Sequence, residues 1–380
     1  MHDLFIDAPA VHDLPHREAD AELRSKSILE QTLAEGDTTD ALGFYLPTLN
    51  PFEAAVSKVE RNHGSNWKRE LSDQDWLMKW DSFLVNQANK PLVQSAELKA
   101  LMRSGVPATY RTRIWKCLVQ LWTRIKQDDT GHGYFECLLK KGEAQIKDDD
   151  ACIKQIDLDL ERTLPSNKFY DNKNSEKIEP LKRVLYAFRF HNKTIGYCQG
   201  LNRIAAISLL FLEESEAFWF MVAFVEYLQP ADYYENNLVC AVADQKVLAE
   251  IMREKLPKLD AHLRKLEVDL TPFTLSWFLT CFVDVLPHHL YIPIFDIFLY
   301  EGNKILFRFA VAVLKLCEPK LLQCPSSGSV HGVLNNLAGT ITDFKELSDA
   351  AFNWLNPFPL KMIETKRQIY IKEVSGSYRS

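Results

Sequence analysis

At 380 residues with 47% hydrophobic side chains, the chain can bury one large core or two of ordinary size, which excludes a disordered or fibrous protein. The net charge is −6, and residues 1–50 hold ten acidic against three basic side chains, so the remainder is close to neutral. The basic excess expected of a nucleic-acid binder is missing, and no nucleic-acid partner is expected.

In chain order, Met1-His2-Asp3-Leu4 lacks the basic and apolar regions of a signal peptide. Residues 1–70 read as an acidic, poorly ordered arm or linker, rich in Asp, Glu, Ser, Thr and Pro. Within it, Phe44-Tyr45-Leu46-Pro47 is either a docking point on the globular part or a chance cluster of aromatics. From Trp76 onward the pattern is helical. Ile114, Trp115, Leu118, Leu121, Trp122 and Ile125 form one apolar stripe, and Leu181, Val184, Leu185 and Phe188 form another. The runs Leu201 to Leu212, Ala217 to Leu228 and Ile305 to Cys317 are apolar on nearly every side and read as buried helices. Asp349 to Ile371 adds a last helix, and the final nine residues read as a frayed tail.

Prolines 107, 165, 180, 230, 257, 272, 287 and 319 fall at expected helix boundaries, Asn-Gly and Asp-Gly pairs are absent, and no repeat of 20 to 50 residues appears. These features predict an all-α fold. The eight cysteines form no Cys-x-x-Cys pair, as in a chain with reduced thiols in the cytoplasm. The most apolar stretch, Leu270 to Val283, stops at Asp284 and is too short to span a bilayer, so no transmembrane segment is expected.

Two segments carry candidate chemistry. Ile153 to Leu164 reads as a helix ending before Pro165, with Ile153, Ile156 and Leu160 inward and Arg162 outward. Asp159, three residues before Arg162, is placed to pair with it. Taken alone, that pair is an ordinary exposed ion pair. The second segment, Gly196-Tyr197-Cys198-Gln199-Gly200-Leu201-Asn202, follows helix-stop signals at His191, Asn192 and Lys193 and opens on a fourth, Gly196. It puts Gln199 on a turn at a helix N-terminus, where backbone amides favour an anion, although alone it reads as a tight structural turn. Together the segments offer an arginine and a glutamine, the side chains that speed GTP hydrolysis on a bound GTPase by neutralising phosphate charge and orienting the attacking water.

Other chemistries fit less well. The chain has no P-loop and no zinc-type His or Cys cluster, and His288-His289 reads as a loop pair. Cys198 with His191 is a poor nucleophile and base, because a cysteine on an apolar turn is inert. Gly328-Ser329-Val330-His331-Gly332 has the wrong spacing for a nucleophile elbow.

The motifs resemble those of the TBC domain found in GTPase-activating proteins for Rab GTPases. Gly105-Val106-Pro107 with Arg111-x-x-x-Trp115 resembles the family's first motif, Ile156-x-x-Asp159-x-x-Arg162 its arginine-finger motif and Tyr197-x-Gln199 its glutamine-finger motif. Trp277, Phe282, Asp296 and Glu301-Gly302 sit where similar residues are expected, with Phe295 in place of an expected Trp. The likeness covers about residues 97–355. The phrases Gln155 to Leu164 and Gly196 to Arg203 are most similar to the Armus-like subgroup, TBC domain family member 2, whose pleckstrin-homology domain and coiled coil have no counterpart here.

The resemblance implies an all-α, V-shaped domain of two helical halves over residues 71–355. The change of half falls near residue 235, between Pro230 and Asp244, and a C-terminal helix and tail occupy 356–380. It implies Arg162 and Gln199 as catalytic fingers supplied in trans, supported by Arg111, Trp115, Asp159, Tyr197, Gly200 and Asn202. The chain then has no cofactor of its own, GTP and magnesium belonging to a GTP-bound Rab partner. The subgroup implies an endosomal Rab and recruitment to endosomal membranes. The alternatives are a non-catalytic Rab-binding scaffold and a purely structural helical adaptor.

Overall fold

A computed structural model describes residues 39–45, 66–87, 90–144 and 150–377, and among them the regular elements are helices with no named strand. The first part comprises α1 (Asn66–Asn86), α2 (Ala96–Ser104), α3 (Ala108–Thr130), α4 (Tyr134–Glu143), α5 (Ala151–Leu160), α6 (Ile178–His191), α7 (Leu201–Leu209) and α8 (Glu214–Val222). α8 widens into a π-helical stretch, Ala223–Leu228. After the irregular residues 229–238 follow α9 (Val239–Lys255), α10 (Pro257–Lys265), α11 (Thr271–Leu279), α12 (His288–Glu301), α13 (Lys304–Leu321), α14 (Ser327–Asn335), α15 (Phe344–Asp349) and α16 (Leu360–Ser377).

The helices start where side chains can take over orphaned amides. Ser95 Oγ accepts from Leu98 N at 3.1 Å before α2, and Asp150 Oδ1 accepts from Cys152 N and Ile153 N before α5. The runs that are apolar all round are the ones buried all round. α13 has twelve buried positions, and α12 is buried from Leu290 to Tyr300 apart from Pro293.

α12 is the central tie. It packs on α2 and α3 on one side and on α13 on the other. Arg103 of α2 grips Glu301 with two hydrogen bonds of 2.5 and 2.7 Å, and Trp122 Nε1 donates to Leu299 O at 2.7 Å. α16 lies along α9, fastened by Arg367, which forks onto the buried Asp244 carboxylate.

Several expectations are corrected. α5 stops at Leu160 rather than Leu164, because Thr163 Oγ1 donates to Asp159 O at 2.7 Å and the chain tightens into short turns, Arg162 N to Asp159 O and Thr163 N to Leu160 O. Leu164 then takes φ +44° ahead of Pro165, which disfavours the helical region for it. Pro319 lies inside the last turns of α13 and Pro293 inside α12, so proline does not mark every boundary. α1 begins at Asn66, inside the span read as arm, and α16 continues to Ser377, through most of the span read as frayed tail. Within 1–65 only residues 39–45 are described, and they dock: Phe44 is buried and pairs with Asn167. Leu46, Pro47 and the rest of residues 1–65 lie outside the described residues.

Candidate functional site

Arg162 leaves the end of α5 on a turn, with a quarter of its side chain (26%) open to solvent. Its guanidinium donates twice to Asp159 Oδ1, from Nε at 3.0 Å and from NH2 at 2.7 Å. The other carboxylate oxygen, Oδ2, accepts from Tyr197 Oη at 2.5 Å, and Gln155 Nε2 adds a third donor to Oδ1 at 2.8 Å. Asp159 itself is fully buried. This is not an exposed helical ion pair: one desolvated carboxylate joins the arginine motif to the glutamine motif.

The glutamine turn is fastened along its length. Asn192, the C-cap of α6, accepts from Ile195 N on its side-chain oxygen at 3.0 Å and from Gly196 N on its carbonyl at 2.8 Å. Tyr197 is buried, and its phenol is held protonated by burial and by the neighbouring Asp159 charge, which push its pKa well up. Gln199 is half-buried beside it. Gly200 takes φ +102°, and a Cβ there would sit 3.2 Å from Thr280 Cγ2, so the turn lies against the end of α11. Asn202 closes the unit, accepting from Gly200 N at 3.2 Å and donating to Thr163 Oγ1 at 2.7 Å.

One part of the sequence reading is altered. The amides at the start of α7 were expected to be free for an anion, but Gly200 N is spent on Asn202, Leu201 N on Cys198 O, and Arg203 N and Ile204 N on Gly200 O. These four amides are therefore not open to an anion. Cys198 is unsuited to nucleophilic attack, its thiol being pushed up to about 12 by burial and by Asp159.

Arg111 and Trp115 form a second cluster, on Asp296. Arg111 Nε reaches both oxygens of Asp296 at 3.0 and 3.1 Å, its NH2 donates to Val106 O at 2.8 Å, and Trp115 Nε1 donates to Asp296 Oδ1 at 2.6 Å. Asp296 is fully buried; burial pushes its carboxyl up, against Arg111 and Trp115, which pull it down. Phe295 fills the place of the expected tryptophan by stacking on Trp115, with ring centroids 6.2 Å apart. Seven of the eight predicted residues thus fall into two clusters, one on Asp159 and one on Asp296, and Gln199 lies on the turn between Tyr197 and Gly200.

Sequence reading missed three residues. Glu226 is the lone charge in the apolar run Ala217 to Leu228, and that isolation was the available signal. It accepts from Asn192 Nδ2 at 2.8 Å and Lys126 Nζ at 3.0 Å, and pairs with His191 Nε2 at 3.2 Å. Burial opposes its charge, but the bonds from His191, Lys126 and Asn192 prevail and bring it down to about 2. Arg203 pairs with Asp284, which follows Cys281 and Phe282 in a turn where both have positive φ. Arg162 also bears on Asp284, helping to stabilise its charge. Among the described residues no group of His, Cys, Asp and Glu could hold a metal, and no helix is long and apolar enough to cross a membrane.

The chain is 42% identical over 297 residues to TBC1 domain family member 2B of Homo sapiens and 43% identical over 289 residues to TBC1 domain family member 2A of Homo sapiens. These alignments cover 78% and 76% of this chain but 30% of each relative, so the chain spans less than a third of their length. A crystal structure of the Chlamydomonas flagellar RabGAP TBC domain superposes with a TM-score of 0.68 at 26% identity, over 83% of this chain and 99% of that one. The Ypt/Rab-GAP domain of Gyp1p, at 16% identity and a TM-score of 0.58 over 78% of this chain and 99% of that one, shares the fold. Residues 108–322 match the Rab-GTPase-TBC domain, and the chain belongs to that family.

Proposed function

We propose that this chain is a GTPase-activating protein that accelerates GTP hydrolysis by a Rab-family GTPase, supplying Arg162 and Gln199 in trans. It is an activator rather than an enzyme with a substrate pocket of its own, and GTP and magnesium arrive with the GTP-bound partner. We take residues 71–355 as the working unit, with the change of half near residue 235. The observation that carries this reading is the Asp159 carboxylate, which binds Arg162 and Tyr197 at once while the arginine stays partly open to solvent.

In the encounter, the guanidinium swings from Asp159 toward the β- and γ-phosphate oxygens and neutralises charge that grows there as the bond to the leaving group lengthens. Asp159 keeps Tyr197 and Gln155, so the glutamine turn stays in place when the arginine departs. The Gln199 carboxamide accepts from the attacking water and aims it. Arg111, Trp115, Gly200 and Asn202 hold the two segments without touching the phosphates. The resemblance of its motifs to the Armus-like subgroup implies an endosomal Rab as the partner, met in the cytoplasm or on endosomal membranes to which the partner brings the chain.

A transition-state analogue separates this from the scaffold reading. A Rab loaded with GDP and aluminium fluoride should bind the wild-type chain far more tightly than the GDP form, and Arg162→Ala should erase that preference. A scaffold would bind the GTP form without favouring the analogue, and a structural adaptor would bind neither.

A further inference from the structure

Arg162 stands at the head of a long irregular segment, residues 161–177, whose position is set from an unexpected quarter. Residues 39–45, outside the family-matched region, lie across its first half. Tyr45 N donates to Ser166 O at 3.0 Å, Lys168 N to Gly43 O at 2.9 Å, and the buried Asn167 side chain to Leu42 O at 2.9 Å. Gly43, at φ +83°, lies flat on Phe169; a Cβ would come within 2.7 Å of that ring. Tyr45 Oη donates to Asp171 Oδ2 at 2.6 Å.

The same seven residues also grip α12. Phe44 is 5% exposed and stacks on His288 with ring centroids 4.3 Å apart and planes within 2°. Its edge contact with Tyr291 adds a second aromatic wall. Asp40 Oδ1 accepts from Leu42 N and Phe44 N, both at 2.9 Å, which shapes the turn, while its Oδ2 meets His288 Nε2 at 2.7 Å. The segment is therefore a cross-tie. One side is bonded to the loop that follows Arg162, and the other is bonded to the first residue of the helix that carries Asp296.

We propose that residues 39–45 are a brace that sets the position of Arg162 for catalysis, with Phe44 and Asp40 as positioning residues. The proposal rests on the GTPase-activating reading above. An arginine on a loop reaches its transition-state position only if the loop is anchored, and misplacement by an ångström is costly in rate. The backbone bonds fix the loop against sliding, and the Phe44 and Asp40 contacts fix the brace against α12. The acidic N-terminal arm accordingly contributes to activity from at least this point, rather than acting only as a linker.

The test uses the full chain with Phe44→Ala and, separately, Gly43→Val, which collides with Phe169. Amide hydrogen exchange is followed at Lys168, and single-turnover GTP hydrolysis by a stimulated Rab is measured across activator concentrations. We expect faster exchange at Lys168, with α6 and α7 unchanged, and a fall of roughly 10- to 100-fold in the saturating rate. Affinity for the GTP-loaded Rab should stay within about twofold, since uniform binding is untouched. A synthetic peptide of residues 37–47 added in trans should restore rate to Phe44→Ala, which a general loss of stability would not permit. Unchanged exchange, or faster exchange with an unchanged saturating rate, overturns the brace. If the wild-type chain stimulates no Rab, the activity reading fails instead, and exchange at Lys168 alone decides whether the brace holds the loop.

Discussion

Asp159→Asn removes one charge from the point where the two motifs meet and turns one acceptor into a donor. The carboxamide has two orientations. With its oxygen toward Arg162 and Gln155, the NH2 group faces Tyr197 Oη, which can turn to accept; the reverse orientation sets NH2 against three donor hydrogens. The first is preferred, so the hydrogen bonds persist; those of Tyr197 and Gln155 lose their charge assistance, and Arg162 keeps its own charge but loses the opposing one. Charge-assisted bonds contribute about 1.5–3 kcal/mol and neutral ones about 0.5–1.5 kcal/mol, a difference of roughly 1–1.5 kcal/mol per partner. Tyr197 counts in full because it is buried, whereas Arg162 is discounted because 26% of its side chain meets solvent. The loss of stability should be about 2 kcal/mol. Urea unfolding at neutral pH measures it, and the saturating rate of stimulated hydrolysis should fall alongside, because neither segment is held as firmly. A variant within about 0.5 kcal/mol of wild type, with full stimulation, would refute the idea that this carboxylate couples the two motifs.

Arg162→Lys keeps the charge but loses the planar fork, so it should cost nearly as much stimulation as Arg162→Ala, on the order of 10³-fold, in a single-turnover assay. Glu226 has a folded pKa of about 2, below its ordinary 4.5, so its contribution is present above the unfolded value and disappears as pH falls toward 2. Wild type should exceed Glu226→Gln by about 3 kcal/mol at pH 7 in urea titrations, with the gap closing between about pH 5 and 2. Arg111→Met leaves Asp296 buried without its partner and should destabilise by about 3–5 kcal/mol; a melting temperature unchanged from wild type would contradict the Asp296 cluster. Gly200→Ala forces a side chain into φ +102° against Thr280 and should cost about 1–2 kcal/mol by thermal unfolding.

Helical periodicity made most of the fold legible, because α6 and α13 bury the stripe and the run that their apolar spacing marks, whereas α3 buries Ile114, Trp115 and Leu118 of its stripe, half-buries Leu121 and Trp122 and leaves Ile125 exposed. Local spacing also exposed the Arg162 and Gln199 segments, and the stop signals at Asn192 and Gly196 placed the glutamine turn ahead of α7. What spacing could not convey was the meeting of distant groups. The i,i+3 pair of Asp159 and Arg162 looks like a surface bridge until Tyr197, 38 residues on, closes over the carboxylate. The early end of α5 turns on one Thr163 hydroxyl competing for a backbone carbonyl, an effect the apolar pattern does not encode. Phe44 finds His288 across 244 residues, and no local rule pairs a short aromatic run with the first turn of a helix so far along the chain.

Single-turnover GTP hydrolysis by a panel of purified Rab GTPases, endosomal ones included, is the most direct test of the central claim, with wild-type chain, Arg162→Ala and Gln199→Ala compared at saturating concentration. The account predicts strong stimulation of one or a few Rabs that is lost in both variants. Stimulation that survives either substitution, or GTP-dependent binding with no stimulation by the wild-type chain, would contradict it.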